Sequence, residues 1–371
     1  MYKMMGFILT GGDNPNLKGL IQKRSVSSIP IGGRYRIIDF MLSNMVNSNI
    51  FNVGITTQYQ FRSLMDHIGS GKEWDMDRRR DGLFIFPPFL TDEASSNWYR
   101  GSADAIYRNI EYLKRSKDEY VVIAPDDSIF KMNFQEVVPY HIEKNADITI
   151  VYKKTQEVAL NTLGILELDE NEKVIEFEQY PEHPKTNLAS MGIYIMKRTY
   201  LLHLLDQYMY AGACDFVSDI LIKNIADISM YGYAFTDYWR PINSIESYYR
   251  CNMDMLNPEY SLRLFRGKGP VYTKRKSFSP AYISPTASVK NSLITQGSKI
   301  EGNVEDSIIF RNVHIKEGAS VKDAIVFQDA VIEKEAYLKN VIIEKGMLIK
   351  KGHIEGAEEN IPIIGENTQW W

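Results

Sequence analysis

Only two cysteines occur among 371 residues, Cys214 and Cys251. They are far apart and lack metal-ligand spacing. This excludes a disulfide scaffold and a thiolate metal centre, and predicts free thiols in a reducing cytoplasm. Neither sign of charge is in large excess: 43 lysines and arginines face 47 aspartates and glutamates, a formal net charge of −4. Such a balance gives no field for nucleic acid or an anionic membrane surface. No apolar run approaches the ~20 residues of a membrane-spanning helix. The first residues lack the charged, apolar and small-residue regions of a secretory signal. A cytoplasmic globular protein without nucleic-acid or membrane partners is predicted, long enough for two domains. One shortage is local. "FILTGGDNPN" (7–16) reads as a strand running into two glycines, the way a phosphate-binding loop begins, yet it contains Asp13 and no lysine or arginine.

Up to about residue 260 apolar strands alternate with amphipathic helices. "FILT", "VGITT", "YVVIAP" and "DITIVYK" read as strands. "IIDFMLSNMVNSNI", "ADAIYRNIEYLKRS", "FQEVVPYHIEKNA" and "SIESYYRCNMDMLN" read as helices. Alternation of this kind predicts an α/β domain with a mainly parallel sheet covered on both faces. Its ligands belong at the carboxyl ends of the strands, where "TGGD" and "APDDS" fall.

The segment 261–281 is polar and basic with Gly and Pro, and is predicted to be a linker between domains at 1–260 and 282–371. Beyond it single aliphatic residues recur at Val289, Ile294, Ile300, Ile309, Ile315, Val321, Val326, Ile332, Leu338, Ile343, Ile349 and Ile354. Many steps are six residues, with a five inserted. Ile315, Ile332 and Ile349 stand one 17-residue period apart. Helices do not give this spacing. The pattern predicts a left-handed parallel β-helix of imperfect hexapeptide repeats, with an antiparallel β-sandwich as the alternative.

Five segments, in order, resemble one family: "GGRYRIIDFMLSNMVNSNI", "TTQYQ", "WYRGSADAIYRNI", "LASMGIY" and "DYWRPINSIESYYRCNMDML". The family is ADP-glucose pyrophosphorylase (glucose-1-phosphate adenylyltransferase), and the resemblance covers nearly the whole chain. It implies a Rossmann-like nucleotidyltransferase domain, a β-helix domain and a tetramer. The implied reaction joins ATP and glucose 1-phosphate into ADP-glucose and pyrophosphate. Such chemistry rests on positioning and charge neutralisation.

Matched position by position, the resemblance assigns nucleotide contacts to Gly11, Gly12, Gln58, Gly101, Ser102 and Asp104. It assigns sugar-phosphate contacts to Ser190, Asp215 and Trp239, and a sugar-phosphate effector to Lys23 and Arg24. Several parts of the machinery are replaced. The third loop glycine is Asn14 and its arginine is Asn16. The lysine is Val26, followed by Ser27 in place of proline. The sugar-phosphate lysine is Tyr180. Of two Mg²⁺ carboxylates Asp127 remains, and Pro241 stands for the other. Loss of one preorganised charge-stabilising donor commonly costs ~10²–10³ in rate. Three cations and a metal ligand are missing together, although such losses are not additive. The resemblance therefore implies the D-type, non-catalytic regulatory subunit, in hetero-oligomers with a catalytic partner.

Alternatives stay open at several positions. Asp127 suits a solvated turn, and Ser102, Ala103 and Asp104 suit a helix start. Tyr238 and Trp239 suit core aromatics, and Lys23 and Arg24 an exposed loop. Arg78, Arg79 and Arg80 suit a solvated loop or an anion site. Trp370 and Trp371 suit the open end of the β-helix or a partner. An active enzyme could recruit Lys18, Lys23 or Arg34. A β-helix acyltransferase would need His314 or His353. A stand-alone nucleotide or sugar-phosphate binding protein would need neither a catalytic partner nor turnover.

Overall fold

The computed structural model describes residues 1–12, 14–88, 98–356 and 361–365. Asp13, Trp370 and Trp371 lie outside the described residues. The chain divides into two compact units that do not follow chain order. The first comprises 1–13, 40–241 and 268–272; the second comprises 14–39, 242–267 and 273–371. The β-helix unit thus includes two segments that the sequence places in the first domain. The expected linker also begins inside a helix, Pro258–Arg266, which Asn257 caps by accepting from the Glu259 amide. Local capping and an amphipathic face outweigh the polar composition that marked this stretch as loop.

The first unit is built on a nine-stranded sheet. Its strands are β1 (Met4–Leu9), β2 (Val53–Thr56), β3 (Leu83–Phe86), β4 (Tyr120–Pro125), β5 (Ile148–Lys154), β6 (Gly164–Leu168), β7 (Val174–Gln179), β8 (Leu188–Lys197) and β9 (Met230–Ala234). The block β3–β2–β1–β4 is parallel, as is the pair β5–β9. The long β8 lies antiparallel to β4, β5 and β6, and β6–β7 form an antiparallel ladder. The alternation of strands and helices predicted the parallel block. It carried no signal for β8, whose apolar run has no helix leading into it from β7.

Met5 and Phe7 of β1, Val121 and Ile123 of β4, Ile148 and Ile150 of β5, and Tyr194 and Met196 of β8 bury alternate side chains in one core. Helical residues Ile106, Leu113, Leu201, Leu204, Leu205, Phe216 and Ile220 complete it. Burying one such side chain is worth roughly 1.5–3 kcal/mol. The helix expected over "ADAIYRNIEYLKRS" is broken at Asn109 into Ser102–Arg108 and Ile110–Arg115. There the Asn109 amide donates to the Ala105 carbonyl (2.8 Å) and the Tyr99 hydroxyl (3.1 Å).

In the second unit the hexapeptide spacing becomes parallel ladders. Ile283, Ile300, Ile315, Ile332 and Ile349 stack in register on one face. Val289, Val304, Val321 and Leu338 stack on a second face. Ile294, Ile309, Val326, Ile343 and Ile364 form the third. Asn and Asp take the left-handed conformations at several corners, among them Asn312, Asp323, Asp329 and Asn340. Their short polar side chains tolerate that region best after glycine. Ile354 departs from its expected inward position. It pairs with Tyr337 instead of continuing the Leu338 stack, and is 76 % exposed.

Candidate functional site

The carboxyl ends of β1 and β4 are neighbours, Leu9 lying opposite Pro125. From them emerge Gly11–Gly12 and Asp126–Asp127. The Gly11 amide, which a phosphate loop would offer to ligand, donates to Asp126 Oδ1 at 3.1 Å. The Thr10 amide donates to Thr56 Oγ1 at the end of β2 (3.2 Å). An internal carboxylate therefore occupies a donor at the strand end. The signal for it was present in the doubled acid of "PDDS", of which the matched positions keep only the second.

Past residue 13 the loop belongs to the second unit. Asn14 Oδ1 accepts from the Asn16 amide (3.0 Å), and Asn14 Nδ2 donates to the Asn243 carbonyl (3.1 Å). Pro15 follows as the first residue of a single turn that buries Leu17. This is the arrangement of a helix cap with proline behind it. Asn16 is exposed and brings no charge. Val26 and Ser27 are buried, and the Ser25 hydroxyl lies 2.9 Å from that of Ser27 and 3.0 Å from that of Ser28. A packed valine thus occupies the position that the resemblance gives to a lysine. Lys18 and Arg34 are exposed.

Asp127 is half-buried. Loss of solvent raises its carboxyl pKa above the usual value, and the Ser128 hydroxyl, 3.3 Å from Oδ1, offsets part of the rise. The next residues, Ser128–Phe130, pair with Trp239–Pro241 as a two-stranded antiparallel ribbon, Pro241 opposite Ser128. This ribbon brings position 241 beside Asp127, the carboxylate that the resemblance retains. Pro241 offers no ligand atom on its side chain. Trp239 is buried, and its indole N–H has no hydrogen-bond partner among the described residues. Among the described residues no group of three or more His, Cys, Asp or Glu side chains is arranged to hold a metal.

The expected nucleotide residues come together as an internal network. Gln58 accepts from the Tyr99 amide (2.9 Å) and donates to its carbonyl (3.5 Å), joining "TTQYQ" to "WYRGS". Gly101 runs so close to Cys214 that an added Cβ would stand 2.4 Å from the Cys214 carbonyl oxygen. The Ser102 hydroxyl donates to Asp215 Oδ2 and accepts from the Phe216 amide, both at 2.7 Å. Asp215 Oδ1 caps the following helix, accepting from the amides of Val217 and Ser218 at 2.9 Å. Asp104 is buried and ion-paired with Arg108 (3.1 Å) and Arg100 (3.3 Å). These contacts fit the helix-start reading of Ser102 and Asp104. One feature beyond the matched positions is the exposed pair Tyr59 and Trp98, stacked at 5.0 Å between centroids, with Tyr59 lying over Gly12.

Of the expected sugar-phosphate residues, Ser190 begins a bulge in β8, where the register with β5 shifts between Ser190 and Ile193. Gly192 takes a φ of +69° there and donates its amide to Ser190 Oγ (3.2 Å). The bulge lies against Pro125, since a Cβ on Gly192 would meet the Pro125 ring at 3.3 Å. Ser190 is therefore held at the mouth of β4. Tyr180, just past β7, is 62 % exposed and carries no charge toward a phosphate.

The pair expected to bind an effector lies in the second unit, where Lys23 and Arg24 line a cleft of about 380 Å³ with Asp329, Glu344, Lys345 and Gly346. Lys23 is exposed. Arg24 is not an open anion receptor, because Nη1 and Nη2 each donate to a Glu344 oxygen at 2.9 Å. Nothing in the sequence linked residues 320 apart. In the β-helix, His314 Nε2 lies 2.8 Å from Glu301.

Comparison with known proteins agrees with this architecture. Residues 5–258 match the nucleotidyl transferase family, and residues 279–361 match the GlmU-like C-terminal hexapeptide family. The glucose-1-phosphate adenylyltransferase of Bacillus mycoides is 37 % identical over 362 residues, 97 % of this chain and 96 % of the relative. That of Halalkalibacterium halodurans is 39 % identical over 86 % of this chain and 84 % of its own length. The protein of the same name from Pseudothermotoga lettingae is 37 % identical over 86 % of this chain and 77 % of its own length. No helix among the described residues is long and apolar enough to cross a membrane. Matching domains in the same order and relatives aligned over most of both lengths show that the chain belongs to the glucose-1-phosphate adenylyltransferase (ADP-glucose pyrophosphorylase) family.

Proposed function

We propose that this chain is a cytoplasmic regulatory subunit of glucose-1-phosphate adenylyltransferase, deficient in catalysis itself and assembled with a catalytic subunit, as a heterotetramer, in glycogen biosynthesis. The reading is carried by position 241. It lies opposite Ser128, beside Asp127, and is a proline where the resemblance calls for the second metal carboxylate. Support comes from the other replaced charges: exposed Asn16, buried Val26 and exposed Tyr180. The donors present do not fit a two-carboxylate Mg²⁺ site, because Asp126 is bonded to the Gly11 amide and Pro241 offers no oxygen on its side chain.

Without those charges the chain can still hold shape. Gln58, Gly101, Ser102 and Asp215 hold their segments in place through contacts within the protein. A folded but weakly charged domain acts on a partner by linkage. If it binds the partner's active conformation better, it shifts that population. Lys23, in the second unit's cleft, is an exposed cation for a sugar-phosphate effector.

A second reading, an active adenylyltransferase, has one observation in its favour. Asp126, which accepts from the Gly11 amide, adds a second carboxylate next to Asp127. Pyrophosphate release from ATP and glucose 1-phosphate with Mg²⁺ separates the two. It is measured for this chain, for the catalytic subunit and for their mixture. The regulatory reading expects silence from the chain alone and altered kinetics in the mixture. Ordinary turnover by the chain alone establishes the second reading.

A further inference from the structure

We propose that a basic cleft at the amino-terminal edge of the nine-stranded sheet binds a small polyanion bearing two or more phosphate groups. The cleft lies wholly in the first unit and has a volume of about 740 Å³. It opens where β1, β2, β3 and β4 begin, the edge opposite to Gly11 and Asp127. Six residues of strand at ~3.3 Å each put about 20 Å between the two edges. A ligand there is neither the nucleotide nor the sugar phosphate of the reaction, and the proposal stands whether or not the regulatory reading does.

Four cations converge on the cleft from three segments of the chain. Lys3 precedes β1, Arg80 precedes β3, Arg115 ends the helix Ile110–Arg115 and Lys117 follows it. All four are exposed, and none is engaged in an ion pair among the described residues. The lining between them is fixed. Arg78 donates Nε to the Asp75 carbonyl (2.7 Å), pairs with the Asp75 carboxylate, and lies 3.5 Å from the centroid of Phe51. One of the two acids lining the cleft, Asp118, is taken up by Asn52 Nδ2 and the Ser116 hydroxyl, each at 2.9 Å. Asp81 is the other, leaving cations in excess.

Unpaired cations gathered on a concave wall repel one another, and a multivalent anion relieves that repulsion. Two guanidinium forks and two ammonium groups match more charge than one phosphate carries. The volume lies within the range for small-molecule pockets, roughly 300–1,000 Å³. The net charge of −4 disfavours a long nucleic acid, which would extend beyond this local field.

The test is calorimetric titration of the full chain with inorganic tripolyphosphate at low salt. Saturable binding that weakens as salt is raised is expected. Arg80→Ala combined with Arg115→Ala should weaken it about tenfold or more, as loss of charge-assisted hydrogen bonds requires. Both side chains are exposed, so the unfolding midpoint should hold. Lys23→Ala, which removes a cation from the second unit's cleft, can abolish only a separate binding phase there and should leave this one in place. No saturable binding overturns the proposal. So does binding in the Lys23→Ala background that survives the double substitution, or its absence from that background. Tighter binding of a 20-nucleotide RNA (about 20 residues, chosen to exceed the cleft) than of tripolyphosphate, lost in the double variant, would replace the small polyanion by a nucleic acid.

Discussion

Arg24 and Glu344 form a two-pronged ion pair, each guanidinium nitrogen 2.9 Å from its own carboxylate oxygen, with side chains only 12 % and 17 % exposed. The pair lies beside Lys23 in the cleft where a phosphate ester would be sought. Removing one member leaves the other desolvated and unmatched. Arg24→Ala or Glu344→Ala alone should therefore destabilise the protein by about 2–4 kcal/mol. The double variant should cost less than the sum, with a coupling of at least ~1 kcal/mol in denaturant unfolding. Glu344→Gln should also tighten binding of a phosphate ester by several-fold, because it frees a guanidinium beside Lys23.

Asp127 carries the pH prediction. Its carboxyl pKa is raised in the folded protein, chiefly by desolvation. A carboxyl raised on folding favours the folded state at acid pH, and that contribution is lost as pH rises through the folded pKa. Asp127→Asn, which cannot ionise, should therefore raise the unfolding midpoint at pH 7. The gain should vanish at a pH below the unfolded value, where both proteins are neutral at this position. A wild-type-like midpoint at pH 7 would mean that the folded carboxylate is compensated by a cation.

Legibility in the sequence followed the range of each interaction. The β-helix was readable because its inward positions recur locally, and Ile300, Ile315, Ile332 and Ile349 stack as that period requires. Ile354 failed because one residue's shift turns a strand side chain outward. The parallel block was readable from alternating strands and helices. The antiparallel β8 and the interleaving of the two units were not, since long-range pairing leaves no local mark. The same limit governed the site. The replacements that the resemblance implies at Pro241 and Tyr180 are read by position. The Asp126–Gly11 and Arg24–Glu344 bonds span 115 and 320 residues and could not.

Gly101 should prove indispensable for packing. Its φ of 179° is ordinary extended backbone, so conformation does not demand glycine. Space does, because an added Cβ would stand 2.4 Å from the Cys214 carbonyl oxygen. Backbone cannot move aside as a side-chain tip can. Gly101→Ala should cost about 1–3 kcal/mol, the range for overpacking. Through Ser102 and Asp215 it should also disturb the helix start at Phe216. Faster amide exchange of Val217 and Ser218, whose N–H groups Asp215 holds, would report that step.

Position 241 allows a gain rather than a loss to be sought. Pro241 lies in register opposite Ser128, so Pro241→Asp returns a carboxylate to the neighbourhood of Asp127. Two carboxylates bind a divalent ion far better than one does, and Mn²⁺ is a spectroscopic stand-in for Mg²⁺. Electron paramagnetic resonance should show Mn²⁺ binding tightened by about tenfold, the order expected for one further charged ligand. Asp127→Asn in the same background should abolish the gain. On the regulatory reading turnover should not follow from this change alone, since the cations that the resemblance expects at Asn16, Val26 and Tyr180 stay absent. If Pro241→Asp by itself restored pyrophosphate release, charge at those three positions would be dispensable, and the deficiency would reside in the metal site alone.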